Sequence, residues 1–88
     1  MSMFLHVIDA EYIEDHSIRL SFSDGTSAEI DLAKELNGSV FEPLEDVVYF
    51  QQFKLVGHTL AWDNGADFAP EFLKGLAEKQ GTLLSRTG

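Results

Sequence analysis

Two segments that alternate apolar and polar residues flank Asp24-Gly25, and this feature limits the fold more than any other. A period of two is typical of a strand with one buried face, and Asp-Gly between two such segments indicates a tight hairpin. Gly25 accepts the positive φ that such turns need. We therefore expect one hairpin face to be buried and the other to be polar and wet. The predicted buried residues are Ile18, Leu20, Phe22, Ala28, Ile30 and Leu32.

Weaker patterns predict the rest of the chain. Proline is favoured in the first turn of a helix, so Pro43 and Pro70 indicate two helix starts. The predicted segments are strands over 4–13, 18–22 and 28–32, a helix over 43–49, strands over 53–56 and 59–62, and a helix from 70 to 81. Short connections imply antiparallel pairing. The predicted fold class is α+β: an antiparallel sheet of about five strands, in the order β-β-β-α-β-β-α, with two short helices packed on one face.

Length and composition bound the kind of protein. A chain of 88 residues makes one domain, and we assign residues 1–81 to a single α+β domain and 82–88 to a flexible C-terminal tail. The sequence contains no cysteine, which excludes disulfides, thiolate nucleophiles and cysteine-bound zinc. It has no apolar run long enough to span a membrane and no signal-peptide pattern. We expect a cytoplasmic protein that does not bind membranes.

The charge of the chain favours a basic partner. Its net charge is −9, and its six lysines and arginines are scattered along the sequence. Direct binding of nucleic acid is disfavoured, because that function needs clustered cations to contact the phosphates. An acidic surface attracts a basic protein instead. The alternative is that the acidity only keeps a small protein soluble.

No motif for catalysis, metal binding or cofactor binding occurs, so we expect no enzyme activity, no metal and no cofactor. The carboxylates Asp63, Asp67 and Glu71 recur every four residues, but Gly65 interrupts the run. They fit a turn and a helix start without any further function. Trp62 is either a contact residue for a partner or a cap on the core. The candidate partner-binding residues are Trp62, Asp63, Asp67 and Glu71.

Several strings in the chain resemble one bacterial family, catalogued as domain of unknown function 2442. They are Phe22-Ser23-Asp24-Gly25, Glu29-Ile30-Asp31-Leu32, Val40-Phe41-Glu42-Pro43-Leu44 and, above all, the stretch from Thr59 to Leu73 with Trp62, Asn64, Gly65, Asp67 and Pro70. The resemblance covers roughly residues 4–76. It implies a compact α+β domain with no assigned activity. Some members carry a helix-turn-helix domain, and others stand beside genes for small toxin-like proteins, which implies an antitoxin-like role.

Two functional hypotheses follow. The first is a protein–protein interaction module, antitoxin-like in role, whose acidic surface docks a basic partner protein. The alternative is a regulatory or sensory domain that binds a small ligand or self-associates. This alternative includes a homo-oligomer.

Overall fold

The computed structural model describes residues 5–85. The first residue of the earliest predicted strand, and residues 86–88 of the predicted tail, lie outside this range. The elements in chain order are β1 (Val7–Glu14), β2 (Ser17–Phe22), β3 (Thr26–Asp31), a 3₁₀ helix (Ala33–Glu35), a second 3₁₀ helix (Glu42–Glu45), α1 (Val47–Phe50), β4 (Lys54–Val56), β5 (Thr59–Ala61), β6 (Asp67–Phe68), α2 (Pro70–Gln80) and β7 (Leu84–Ser85). The α+β class is confirmed, and every strand pairing is antiparallel.

The prediction of one five-stranded sheet is wrong, because the strands form two sheets. β1, β2 and β3 pair in sequence order, with the two-residue β7 added beside β3, and β4, β5 and β6 form a separate three-stranded sheet. The turn after Trp62 brings β6 back against β5. Strand β6 therefore occupies the edge of β5 that a larger sheet would use for pairing. Where the sheets approach each other, the N–H of Val7 donates to the carbonyl of His58 at 2.9 Å.

The central hairpin is confirmed residue by residue. Ile18 lies opposite Ile30 and Leu20 lies opposite Ala28, so these side chains share one face. All six residues predicted to be buried are at most 1% exposed. Gly25 has φ +91°, and the carboxylate of Asp24 accepts hydrogen bonds from the N–H and the hydroxyl of Thr26.

The helix predicted over 43–49 is broken in two. Asp46 is extended (φ −76°, ψ 117°), and its carboxylate accepts the N–H of Val48 at 3.0 Å, which makes it the N-cap of α1. An aspartate that bonds to the backbone in this way competes with a continuous helix. The break turns Val48 outward (66% exposed) and places Phe50 in the core.

The second predicted helix is confirmed, and its N-cap is Ala69 and its C-cap is Gly81 at φ +73°. Phe68 and Leu73 are both buried, in the positions of a hydrophobic staple. Leu73, Leu76 and Ala77 form the buried side of α2, whereas Phe72 is 43% exposed. Among residues 5–85, no helix is long and apolar enough to span a membrane.

Both sheets and both helices send side chains into one hydrophobic core. Strand β7, at the start of the predicted tail, pairs Leu84 with Ser27 on the far side of β3. The core therefore covers one face of the β1–β2–β3 sheet and leaves the opposite face to solvent.

Candidate protein interaction surface

Trp62 lies in the core. It is 4% exposed, and its indole Nε1–H donates to the carbonyl of Phe50 at 2.9 Å. The rings of Phe50, Phe53 and Phe68 surround it with centroid distances of 5.6, 6.5 and 5.9 Å. A side chain held in this way caps the core, and it has almost no surface to offer a partner.

The turn after Trp62 is held by Asn64. Its side chain accepts the N–H of Ala66 at 3.1 Å and donates to the carbonyl of Val40 at 2.8 Å, while Gly65 takes φ +93°. The turn predicted for Asp63 is therefore held by the side chain of the next residue. Asn64 and Gly65 lie in the stretch from Thr59 to Leu73 that carries the family resemblance. They form a turn, and Asn64 also holds the distant loop at Val40.

The remaining candidate residues lie at the surface. Lys54, Ala61 and Asp67 are abreast across the second sheet, and the ammonium of Lys54 lies 2.7 Å from the carboxylate of Asp63. The hydrogen bond and the negative charge of Asp63 raise the pKa of Lys54. One cation thus offsets part of this acidic neighbourhood. Glu71 is exposed in the first turn of α2, where its charge suits the helix dipole.

A second acidic surface, which we call the outer sheet face, is formed by β1, β2 and β3. Cross-strand partners in an antiparallel pair project to the same side. The pairing registers place side chains of β1 and β3 beside Ser17, Arg19 and Ser21 on the face away from the core. The charged residues of the outer sheet face are Asp9, Glu11, Glu14, Arg19, Glu29 and Asp31, five carboxylates and one guanidinium, with a net charge of −4.

Glu11, Arg19 and Glu29 lie abreast across the three strands, and Arg19 forms ion pairs with both carboxylates. Arg19 donates to Glu29 at 2.7 and 3.2 Å and to Glu11 at 3.1 Å. The hydrogen bond and charge of Glu29, and then those of Glu11, raise the pKa of Arg19. Asp9 and Asp31 instead accept neighbouring backbone amides at 3.0 and 2.9 Å. Their negative charges have no cation partner among residues 5–85.

The sequence pattern of β1 does not reveal this surface, because the strand carries two irregularities. The register shifts between Val7 and Asp9 and again between Tyr12 and Glu14. Each β-bulge adds one residue, so a buried Val7 and an outward Asp9 occur at odd positions of the same strand. These bulges explain why apolar and polar residues do not alternate regularly along β1.

The histidines have structural surroundings. His16 donates its Nε2–H to the carbonyl of Leu44 at 2.9 Å and packs edge-on against Phe50. His6 and His58 stack with centroids 4.3 Å apart. Among residues 5–85, no group of three or more histidines and carboxylates has a geometry that could hold a metal ion.

One family model matches the chain, over residues 7–78, and its description is "Protein of unknown function (DUF2442)". Neither curated proteins nor solved structures gave a match. The matched range contains the whole outer sheet face and the Trp62 turn.

Proposed function

The chain belongs to this family of proteins of unknown function, DUF2442, and we propose that it is a small protein–protein interaction module that docks a basic partner. The proposed docking surface is the outer sheet face. Its net charge of −4 is the observation that carries the proposal, because it concentrates much of the chain's −9 on one side of one sheet.

The shape of this surface supports docking of a protein. Ser17, Ser21 and Ser27 stand between the carboxylates, so small side chains separate the charged ones. The small serines leave the charged side chains accessible to a broad partner surface. Exposed ion pairs contribute only about 0.2–1 kcal/mol each. The charges therefore favour fast encounter and choice of partner, while the contact area supplies the rest of the affinity.

The partner class follows from the same charges. Repulsion opposes nucleic acid and acidic proteins, whereas a lysine- and arginine-rich protein is attracted. A small toxin of basic character would fit an antitoxin-like role, in which the acidic face covers the toxin's own functional surface. This role draws its support from the family resemblance, which implies that some members stand beside genes for small toxin-like proteins.

Affinity capture from a lysate of the source cells tests the proposal. The tagged protein is incubated at low salt, washed, and eluted with increasing salt. We expect one basic protein in stoichiometric amount, released as the Debye length shortens. An empty eluate, or a protein that stays bound at high salt, would contradict docking by charge.

A groove favours a second candidate function, a regulatory domain that binds a small ligand or self-associates. Its volume is about 560 Å³, within the range of small-molecule sites, and it lies beside the C-terminal half of α2. The lining residues are Asp31, Lys34, Glu35, Leu76, Lys79 and Gln80. A metabolite that raises the melting temperature of the natural chain but not of Lys79→Met would support this function. Unchanged melting across a broad panel would count against it.

A further inference from the structure

Strand β1 has an open backbone edge. It is the first strand of its sheet, with β2 as its one ladder partner among residues 5–85. Ala10 donates its N–H to the side chain of Asp9 at 3.0 Å, so this amide faces away from β2. Hydrogen-bonding directions alternate along an antiparallel strand, and the register is regular from Ala10 to Tyr12. The N–H and C=O groups of Ala10 and Tyr12 therefore point to the open side.

The open edge is short and has defined ends. At its start, the N–H of Val7 is already bonded to the carbonyl of His58, at the tip of the β4–β5 hairpin. The two bulges lie after Val7 and after Tyr12. The regular stretch between them, from Asp9 to Tyr12, has room for a segment of a few residues and not for a long strand.

The charges beside this edge specify what can pair with it. Across the sheet, the central row runs Glu29, Arg19, Glu11, with alternating sign, and it ends at the open edge on a carboxylate. Glu11 uses one oxygen for Arg19, and its side chain is 66% exposed. A strand added at the usual spacing of about 4.8 Å would bring its own side chain opposite Glu11. A cation there continues the alternation.

A second copy of this chain is a poor occupant of the edge. Two β1 strands pairing with each other would bring Asp9, Glu11 and Glu14 of one copy close to the same carboxylates of the other. Like charges directly opposite each other destabilise a strand pair. Bulges and charges on an edge strand also discourage self-pairing in general.

We propose that a short extended segment of the basic partner, with lysine or arginine at alternate positions, adds to β1 as a further strand. Its backbone bonds to the C=O of Ala10 and to the N–H and C=O of Tyr12, because the N–H of Ala10 is already bonded to Asp9. Two of its cations, two residues apart in the segment, lie over Asp9 and Glu11. This inference rests on the proposed function, because it gives the binding mode of the same acidic surface. Strand addition supplies affinity through the backbone and specificity through the side chains.

The test uses the natural chain and a synthetic peptide, Thr-Lys-Val-Lys-Thr-Lys-Val-Thr, in calorimetric titrations at low and high salt. Two further peptides carry backbone N-methyl groups, one on every lysine and the other on the residues between them. An added strand turns only alternate amides toward its neighbour. We expect one methylated peptide to lose at least about tenfold in affinity and the other to retain it. The one that fails gives the direction of the added strand.

The outcomes separate this inference from the proposed function. If both methylated peptides bind as the parent does, or both lose binding equally, strand addition is overturned while docking by charge stands. If the parent peptide fails to bind, the inference is overturned, and docking by charge is decided by the capture experiment with the intact partner. If the parent peptide binds without any dependence on salt, the inference and the charge-driven function are both overturned.

Two variants and an exchange measurement complete the test. Glu11→Gln should weaken the parent peptide about threefold, the value of one exposed ion pair. Glu78→Gln, which makes the same charge change on the exposed side of α2, should leave the affinity unchanged. In hydrogen exchange, the amide of Tyr12 should slow on peptide binding, whereas that of Glu11, already bonded within the sheet, should not change. Equal effects of the two variants, or an unprotected Tyr12, would overturn the inference.

Discussion

Replacing Trp62 with phenylalanine tests whether this residue is a core cap and not a contact for the partner. Phenylalanine keeps an aromatic ring in place, but it removes the donor that meets the Phe50 carbonyl at 2.9 Å in a buried position. A buried carbonyl left without its donor costs about 1–3 kcal/mol. The missing part of the indole leaves roughly 40 Å³, which adds about 1 kcal/mol. We expect the free energy of unfolding to fall by about 2–4 kcal/mol.

The assay is urea unfolding followed by far-ultraviolet circular dichroism, because the variant removes the one tryptophan of the chain. Phe72→Leu serves as the control, since Phe72 is 43% exposed and should lose less than about 1 kcal/mol. A Trp62→Phe loss below about 1 kcal/mol would refute the reasoning on stability. Loss of partner capture by a folded Trp62→Phe variant would show that the indole contacts the partner after all.

Three further stability predictions follow from the hairpin, the last helix and one ion pair. Gly25→Val should cost about 1–3 kcal/mol in urea unfolding, because φ +91° strains a β-branched residue; an unchanged midpoint would contradict this. Leu73→Ala should cost about 2–5 kcal/mol, since Leu73 is fully buried; a loss under about 1 kcal/mol would mean that α2 is not docked. Hydrogen bonds from Lys74 and Thr26 lower the pKa of Asp24 from 3.8 to about 2. The ionised Asp24 carboxylate therefore stabilises the folded state. Its contribution to the free energy of unfolding is complete above about pH 4 and is lost as the pH falls through 2. The lowered pKa corresponds to about 2 kcal/mol, which solvent screening reduces to about 1 kcal/mol, because the side chains of Asp24 and Lys74 are 35% and 28% exposed. Between pH 5 and pH 2, Asp24→Asn should therefore lose about 1 kcal/mol less stability than the natural chain, and identical losses would contradict it.

The parts of the fold that could be predicted from the sequence have local causes. The β2–β3 hairpin follows from alternation and Asp24-Gly25, and α2 follows from Pro70 at its start and Gly81 at its end. Both signals lie within a few residues of the structure that they specify. The pattern of the hairpin gave every buried side chain correctly.

The parts that could not be predicted depend on contacts between distant residues or on very short elements. Strands β6 and β7 are two residues long, too short to show a period, and without β6 the second sheet cannot be recognised. Lys74 meets Asp24 from 50 positions away. No local pattern could have brought that pair together.

The candidate site shows the same division. The exposed positions of Asp63, Asp67 and Glu71 agree with their polarity, but the neutralising contact of Lys54 needed the pairing of β4 with β5. The outer sheet face was hidden because the bulges of β1 shift its alternation twice. Acidic residues on two strands that flank β2 become one surface only when the register is known.

The most direct test of the account compares two double variants with the same charge change in binding to the captured partner. Asp9→Asn with Asp31→Asn removes two unpaired charges from the outer sheet face, and Asp67→Asn with Glu71→Gln removes two from the other acidic surface. Asparagine can still accept the amide bonds that Asp9 and Asp31 accept, so both variants should fold. We predict that the first pair weakens binding about threefold to tenfold at low salt and that the second leaves it within about twofold. A larger loss of affinity in the second double variant than in the first, or equal losses in both, would contradict docking through the outer sheet face.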